Sequence, residues 1–265
     1  MLKMLFKWVG SKRRLVDDIL AHMPDSFDYY IEPFFGAGHI GFTILENKMV
    51  NHSTYFNDKN VDLGCFWMAL RETPDDLWHE MQIMKSKLTK TEFLRIRRTT
   101  PKSIARRGAR FYYLVQTSYK GLWRVNAKGE FNVAYGGRPE DIFLPDRKEF
   151  DRLHALLQNV EITIGDFKEM DLLKKKFDGS VCVYLDPPYL DTFTSFTVDK
   201  FLNHDQVVLK YYFEKMKKKG WSVIESNSDT RFIRDLYSDH DIYEVVINHN
   251  TSPTGAEAKT ELIII

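Results

Sequence analysis

Apolar positions along the 265-residue chain alternate between two periodicities. Short apolar runs that end on a small or acidic residue read as strands. Tyr29 to Phe34 is the first such run; it leads into a tight turn at Gly36-Ala37-Gly38 and a helix through Ile40 to Lys48. Ser53 to Asn57 ends at Asp58, Glu161 to Ile164 at Gly165-Asp166, and Val181 to Leu185 at Asp186, and Trp221 to Glu225 is a further run. Val181 to Leu185 is apolar at every position, as expected of a parallel strand covered on both faces. Tyr243 to Asn248 and Glu261 to Ile265 flank a polar loop and read as a terminal hairpin. Helical spacing takes over from Val61 to Leu70 and, with breaks at Pro74 and Pro101, continues to about Tyr119. It is clearest at Ala109, Tyr112, Tyr113 and Gln116, and it returns in the amphipathic segment Asp205 to Lys219. The segment Gly121 to Gly137, rich in Gly, Asn, Arg and aromatics, reads as a hairpin turning at Ala127-Lys128-Gly129.

Strands alternating with helices at both ends predict an α/β protein built on one Rossmann-like, mostly parallel sheet. The helical and hairpin-bearing middle interrupts that alternation. The expected organisation is one domain from residues 1–58 and 146–265, with 59–145 inserted as a second.

Composition changes this picture little. Hydrophobic residues at 43% and charged residues at 28% describe an ordinary globular chain. No apolar run of roughly 18 residues predicts a membrane span, and the first twelve residues lack a signal-peptide pattern. Cys65 and Cys182 lie far apart in apolar surroundings and read as buried free thiols of a reducing, cytoplasmic compartment. No Cys/His cluster has zinc spacing, so no metal is expected. The net charge of +1 does not announce nucleic-acid binding. Local distribution matters more than the sum, however. Arg95, Arg97, Arg98, Lys102, Arg106, Arg107 and Arg110 crowd one stretch, followed by Lys120, Arg124 and Lys128. This is either a phosphate-binding face or a solvated helical surface.

The candidate chemistry sits at strand ends. Gly36 and Gly38, with Gly41 completing a GxGxxG pattern, would let a ligand approach the backbone of the first turn. Asp58, about 20 residues on, suits an acid that accepts ribose hydroxyls. Nicotinamide dinucleotides and S-adenosylmethionine share the adenosine half, so these features fit both. Asp58 alone would also serve as a helix N-cap. Asp186-Pro187-Pro188-Tyr189 separates the two ligands, because a dehydrogenase has no use for it. Two prolines stiffen the backbone and remove two amide donors. A carboxylate and a proline carbonyl can then each accept one hydrogen from the planar amino group of adenine and localise its lone pair, while Tyr189 stacks on the base.

With these residues the chain resembles the Dam-type DNA adenine-N6 methyltransferases (D12 class, α group). Lys7-Trp8-Val9-Gly10-Ser11-Lys12 is similar to that family's KWxGxK segment, Glu32 to Gly38 to its FxGxG segment, and Asp186 to Tyr189 to its DPPY motif. Asp58 stands in the place of the ribose-binding acid. Gly121 to Gly136 resembles the hairpin that contacts DNA, and Ser226-Asn227-Ser228 a later strand-end motif. The motif order is that of the α group.

The resemblance implies the fold of a class I methyltransferase with an inserted helical and hairpin DNA-recognition domain, and S-adenosylmethionine as cofactor. It implies that Trp8, Lys12, Glu32, Phe34, Gly36, Gly38, Asp58, Asp166, Phe167 and Asp186 bind that cofactor. Asp186, Pro187, Pro188 and Tyr189 would carry catalysis, and Tyr119, Lys120, Leu122, Arg124, Asn126 and Asn132 would contact DNA. The implied partner is double-stranded DNA, with no membrane and no metal, and the chain is expected to act as a monomer. The target adenine would be flipped out of the duplex and methylated by direct in-line transfer. The absence of a Pro-Cys dipeptide fits a reaction without a covalent enzyme intermediate. Tyr119, Leu122 and Arg124 match GATC-specific relatives, so GATC is the expected site. Lys120 departs from their usual Asn and Ala134 from their frequent Pro. Two other readings stand beside this one: an RNA or protein N-methyltransferase on the same sheet, and a noncatalytic DNA-binding scaffold.

Overall fold

A computed structural model of the chain describes residues 4–140, 143–189, 196–249 and 257–265. Its strands are β1 (Phe27–Glu32), β2 (Val50–Asp58), β3 (Val160–Ile164), β4 (Val181–Leu185), β5 (Ser222–Ser228), β6 (Ile242–His249) and β7 (Glu257–Ile264). They form one sheet in the order β3-β2-β1-β4-β5-β7-β6. The first five pair in parallel, and β7 runs antiparallel between β5 and β6. This is the expected Rossmann-like α/β sheet. Strand order reverses between β1 and β4, and open sheets bind ligands at the carboxyl ends beside such a reversal. Glu32 closes β1 and Asp186 follows β4, so the two acids meet at that point.

The uninterrupted apolar run of β4 has a direct cause. Cys182 and Tyr184 face one apolar layer with Tyr30, Phe56, Ile224 and Ile263. Val181, Val183 and Leu185 face the other with Ile31, Val223, Leu262 and Ile264. Successive side chains point to opposite faces of a strand, and both faces of this one are covered.

The described helices are α1 (Val16–Leu20), α2 (His39–Glu46), α3 (Val61–Glu72), α4 (Pro74–Lys85), α5 (Lys90–Ile96), α6 (Ile104–Thr117), α7 (Arg147–Leu156), α8 (Asn203–Lys218) and α9 (Arg231–Leu236). Helices α3 to α6 all fall between β2 and β3 in sequence. Pro74 separates two helices by occupying the first turn of α4, where its missing amide costs nothing. The cap of α3 is Asn60, whose side chain accepts the amides of Asp62 and Leu63. Asp58 is therefore not the N-cap that its isolated position would have allowed. The polar loop expected between β6 and β7 lies largely outside the described residues.

The basic stretch is largely committed within the fold. Arg110 is buried, donates to the carbonyls of Ile96 and Arg97 and lies 3.2 Å from Asp62, which also holds Arg107 at 3.0 Å. Arg106 pairs with Glu80 and Arg95 with Glu92. The surface these arginines offer to an external anion is correspondingly reduced. Among the described residues no helix is long and apolar enough to cross a membrane.

Candidate active site

A cavity of about 840 Å³ opens at the carboxyl ends of the strands, within the roughly 300–1,000 Å³ of small-molecule sites. Trp8, Lys12, Glu32, Phe34, Gly36, Gly38, Asp58, Asp166, Phe167 and Asp186 to Tyr189 all line it. Segments more than 150 residues apart in sequence are thus assembled around one space.

Its first half is shaped by the turn after β1. Gly38 has a φ of 79°, and a Cβ there would lie 2.4 Å from Cζ of Phe35, so only glycine fits. Gly41 is required by packing: a Cβ would lie 2.6 Å from both Oε2 of Glu32 and Cζ of Phe56. The turn is anchored from α3, where Trp67 Nε1 donates to the Gly36 carbonyl at 2.9 Å. Asp58 receives the Gly36 amide on one carboxylate oxygen at 2.9 Å and the Asn60 amide on the other at 2.8 Å. Burial raises its pKa to about 6 against the lowering effect of those two amides. Both oxygens keep a second lone pair for a ligand hydroxyl. Phe34 and Phe167 meet with ring centroids 5.3 Å apart and supply apolar wall. Asp166 caps the short 3-10 turn Phe167–Met170 in a reciprocal capping box with Glu169 and holds Lys59 at 3.1 Å. Glu32 is buried with the Tyr30 hydroxyl donated to it at 2.9 Å. Burial pushes its pKa well above the ordinary carboxylate range, against the lowering effect of the Tyr30 hydrogen bond.

This donor set suits an adenosine bearing a sulfonium. It offers an acid flanked by a close-approach backbone turn for the ribose, aromatic walls for the base, and carboxylates around the remaining space. Burial also takes His39 down to about 4, with the Arg13 and Lys12 charges adding to the shift. The His39 ring is therefore neutral near pH 7.

The second half is the DPPY segment. Lys12 is buried yet reaches Asp186 Oδ1 at 2.8 Å and also donates to the Gly10 carbonyl at 3.1 Å. Burial raises the Asp186 carboxyl to about 6, while the Lys12 charge pulls it down. At neutral pH the group is therefore mostly ionised. Lys12 Nζ also lies 4.6 Å from the centroid of the Tyr189 ring, and the Tyr189 hydroxyl donates to Glu261 Oε2 at 2.8 Å. Behind the prolines, Gln206 of α8 reaches the Pro188 carbonyl at 3.4 Å. Gln206 in turn accepts from Asn227, which also donates to Glu225.

Glu261 and Gln206 were not among the site residues read from sequence. Glu261 carried a usable signal, a lone acid opening the apolar run Leu262 to Ile265. Gln206 carried none beyond a polar residue on the buried face of an amphipathic helix.

Of the residues expected to contact DNA, Tyr119, Lys120 and Leu122 lie at or beside a 3-10 turn, Tyr119–Gly121, that follows α6. Lys120 takes a φ of 55°, and Tyr119 is left exposed. The hairpin that follows is irregular, with single bridges at Val125–Phe131 and Ser118–Tyr135. Asn126 builds its turn, accepting the amides of Lys128 and Glu130 on Oδ1 and donating to the Glu130 carboxylate. Arg124 is gripped across the hairpin by Asn132, with Nε 2.7 Å from the side-chain oxygen. Phe196 joins hairpin to cavity: its carbonyl accepts from Trp123 Nε1 at 3.2 Å, and its ring stacks on Trp8 at 5.5 Å.

Fold and site together define a Rossmann-like methyltransferase with a carboxylate-proline motif at the reversal of its sheet. Comparison with known proteins makes this specific. The family of D12 class N6 adenine-specific DNA methyltransferases matches residues 8–250, and the chain belongs to that family. It is 31% identical to the type II methyltransferase M1.LlaDCHI of Lactococcus lactis subsp. cremoris, over 99% of this chain and 95% of that one. It is 30% identical to the type II methyltransferase M.MjaIII of Methanocaldococcus jannaschii, over 100% and 99%. To a DNA adenine methylase of Vibrio cholerae it is 33% identical, over 94% of this chain and 90% of that one. The chain is accordingly an adenine-N6 DNA methyltransferase.

Proposed function

We propose that the protein uses S-adenosylmethionine to methylate a flipped-out adenine within a short, GATC-like site of duplex DNA. The observation that carries this reading is the Asp186 carboxylate, held by Lys12 at the open end of β4 beside two prolines and Tyr189. When bound, adenosylmethionine supplies an electrophilic methyl group on sulfur. Asp58 would hold its ribose, Phe34 and Phe167 its adenine, and Asp166 and Trp8 the rim of its site.

The protein's own contribution is alignment and charge. Asp186 accepts one hydrogen of the adenine amino group and a proline carbonyl accepts the other. The nitrogen lone pair, otherwise delocalised into the ring, is thereby localised towards the methyl carbon. Since Pro188 is engaged by Gln206, the Pro187 carbonyl is the acceptor assigned to the base. As the new N–C bond forms and the C–S bond breaks, the nitrogen sheds one proton, and Asp186 is the hydrogen-bonded group able to receive it. Holding both reactants in register is worth several kcal/mol of barrier in such reactions. Tyr189 supplies a stacking face for the extruded base.

Residues 59–145 are assigned to target recognition. Arg124, oriented by Asn132, presents its remaining N–H groups for the O6 and N7 of a guanine, a contact worth roughly 1–3 kcal/mol of discrimination. Tyr119 and Leu122 stand where a side chain can fill the space left by the flipped base. Lys120, in place of the usual Asn, adds a charge that favours phosphate over a base edge. Single-molecule sequencing of DNA from cells expressing the protein tests this directly. N6-methyladenine at one recurring short motif is the expected result; modification of cytosine only, or none, contradicts it.

A further inference from the structure

Glu261 turns out of the sheet interior into the cavity, while its neighbours Leu262, Ile263 and Ile264 are wholly buried. In the sheet it stands beside Ser228 of β5 and Val245 of β6. A carboxylate only 13% exposed among such neighbours is costly unless partnered. Its partners are Tyr189, whose hydroxyl lies 2.8 Å away, and Lys12 Nζ, 3.7 Å away. The same hydroxyl also acts on Asp186, helping to hold its carboxyl down against burial. A phenol has one proton to donate, so two carboxylates compete for it.

We propose that Glu261 is a positioning residue for methyl transfer. By accepting the Tyr189 hydroxyl it fixes the ring and draws the phenolic proton away from Asp186, whose lone pairs then serve Lys12 and the amino group of the base. This rests on the reading of Asp186 as acceptor and Tyr189 as stacking wall. Lys12 occupies one face of the Tyr189 ring, so the base has only the opposite face. A ring free to turn would lose that registration. Without Glu261 the carboxylate left to the hydroxyl among the described residues is Asp186, and settling there it would compete with the substrate for the lone pairs that catalysis needs. The terminal strand β7 thereby acts on the reaction through one side chain.

Single-turnover methyl transfer to duplex DNA by the full-length protein tests this, with adenosylmethionine binding and thermal melting measured alongside. Glu261→Ala is expected to slow transfer by about tenfold to a hundredfold, the scale of a misplaced reacting group. Adenosylmethionine affinity should stay close to wild type. Glu261→Gln, whose amide oxygen still accepts the hydroxyl, should restore most of the rate. Tyr189→Phe removes the contested proton and keeps the ring, so the double variant should transfer at the Tyr189→Phe rate and faster than Glu261→Ala alone. A purely structural Glu261 would not be rescued by deleting a hydroxyl. If Glu261→Ala does not fold, Glu261→Asp, one methylene short of the hydroxyl, takes its place. Wild-type rates for Glu261→Ala, or a double variant slower than both singles, overturn the proposal while a slow Tyr189→Ala leaves the stacking role standing. A Tyr189→Ala variant as fast as wild type removes the stacking role itself, and the positioning role with it.

Discussion

At the scale of single residues, the proposed reaction depends on one carboxylate being charged. Burial alone would favour neutral Asp186; Lys12 opposes it and leaves the group titrating near 6. If ionised Asp186 is the active form, the maximal transfer rate at saturating cofactor rises with pH through about 6 and then levels. Lys12→Gln removes the cation, and the midpoint should move in the alkaline direction by about a unit or more. A pH–rate profile with an unmoved midpoint would show that Lys12 does not set this charge. Gly41 makes a second prediction. Its Cβ would meet Glu32 and Phe56 at 2.6 Å, so Gly41→Ala should destabilise by about 1–3 kcal/mol as an overpacked core, measured by urea unfolding. The GxGxxG pattern made this glycine visible in sequence, but as a ligand-turn residue. The structure gives it a packing role, holding α2 against β1 and β2.

At the scale of elements, the strands were legible because their burial is written in composition. β4 matches its apolar run residue for residue, since both faces are covered. β5 was read only to Glu225, yet it continues through Ser226, Asn227 and Ser228, all buried. These polar residues hid the strand end because Ser226 is partnered by the Tyr184 hydroxyl of β4 and Asn227 by Gln206 of α8 and Glu225, inside the fold rather than by solvent. α1, α7 and α9 have no counterpart in the pattern. Each buries only one or two side chains, too few to set a period. The basic stretch shows the opposite failure, since a sequence cannot tell that Arg110 points inward to carbonyls.

The recognition hairpin carries the prediction proper to this scale. Arg124→Ala should lose roughly 1–3 kcal/mol of discrimination at one guanine position. Asn132→Ala should show a smaller loss at the same position, because it frees the guanidinium it now orients. Methylation rates on a panel of singly substituted duplexes check both. Loss spread evenly over all positions would instead mark Arg124 as a phosphate contact.

At the scale of the molecule, the segment Asp186 to Tyr189 is held from three directions: Lys12 from the N-terminal segment, Gln206 from α8 and Glu261 from β7. Behind Gln206 lies Glu225, with the Tyr237 hydroxyl on one oxygen at 2.7 Å and Asn227 on the other at 2.8 Å. Burial raises its carboxyl from 4.5 to about 7 despite those two bonds. The folded state therefore retains a proton that the unfolded chain releases. The resulting stability is present below pH 4.5 and is lost as pH rises towards and through 7. Glu225→Gln removes this dependence. Between pH 5 and 8 its unfolding free energy should fall less than that of wild type, by on the order of 2–3 kcal/mol, in urea titrations at the two pH values. Parallel changes in both proteins would place Glu225 outside this account.

The central claim, that Asp186 at the reversal of the sheet directs a methyl group onto adenine N6, has one most direct measurement. Duplex DNA is incubated with the protein and methyl-labelled adenosylmethionine, then digested to nucleosides and analysed by mass spectrometry. Labelled N6-methyl-2′-deoxyadenosine from wild type, and none from a folded Asp186→Ala variant, is the predicted result. Label on cytosine, or undiminished transfer by Asp186→Ala, would contradict it.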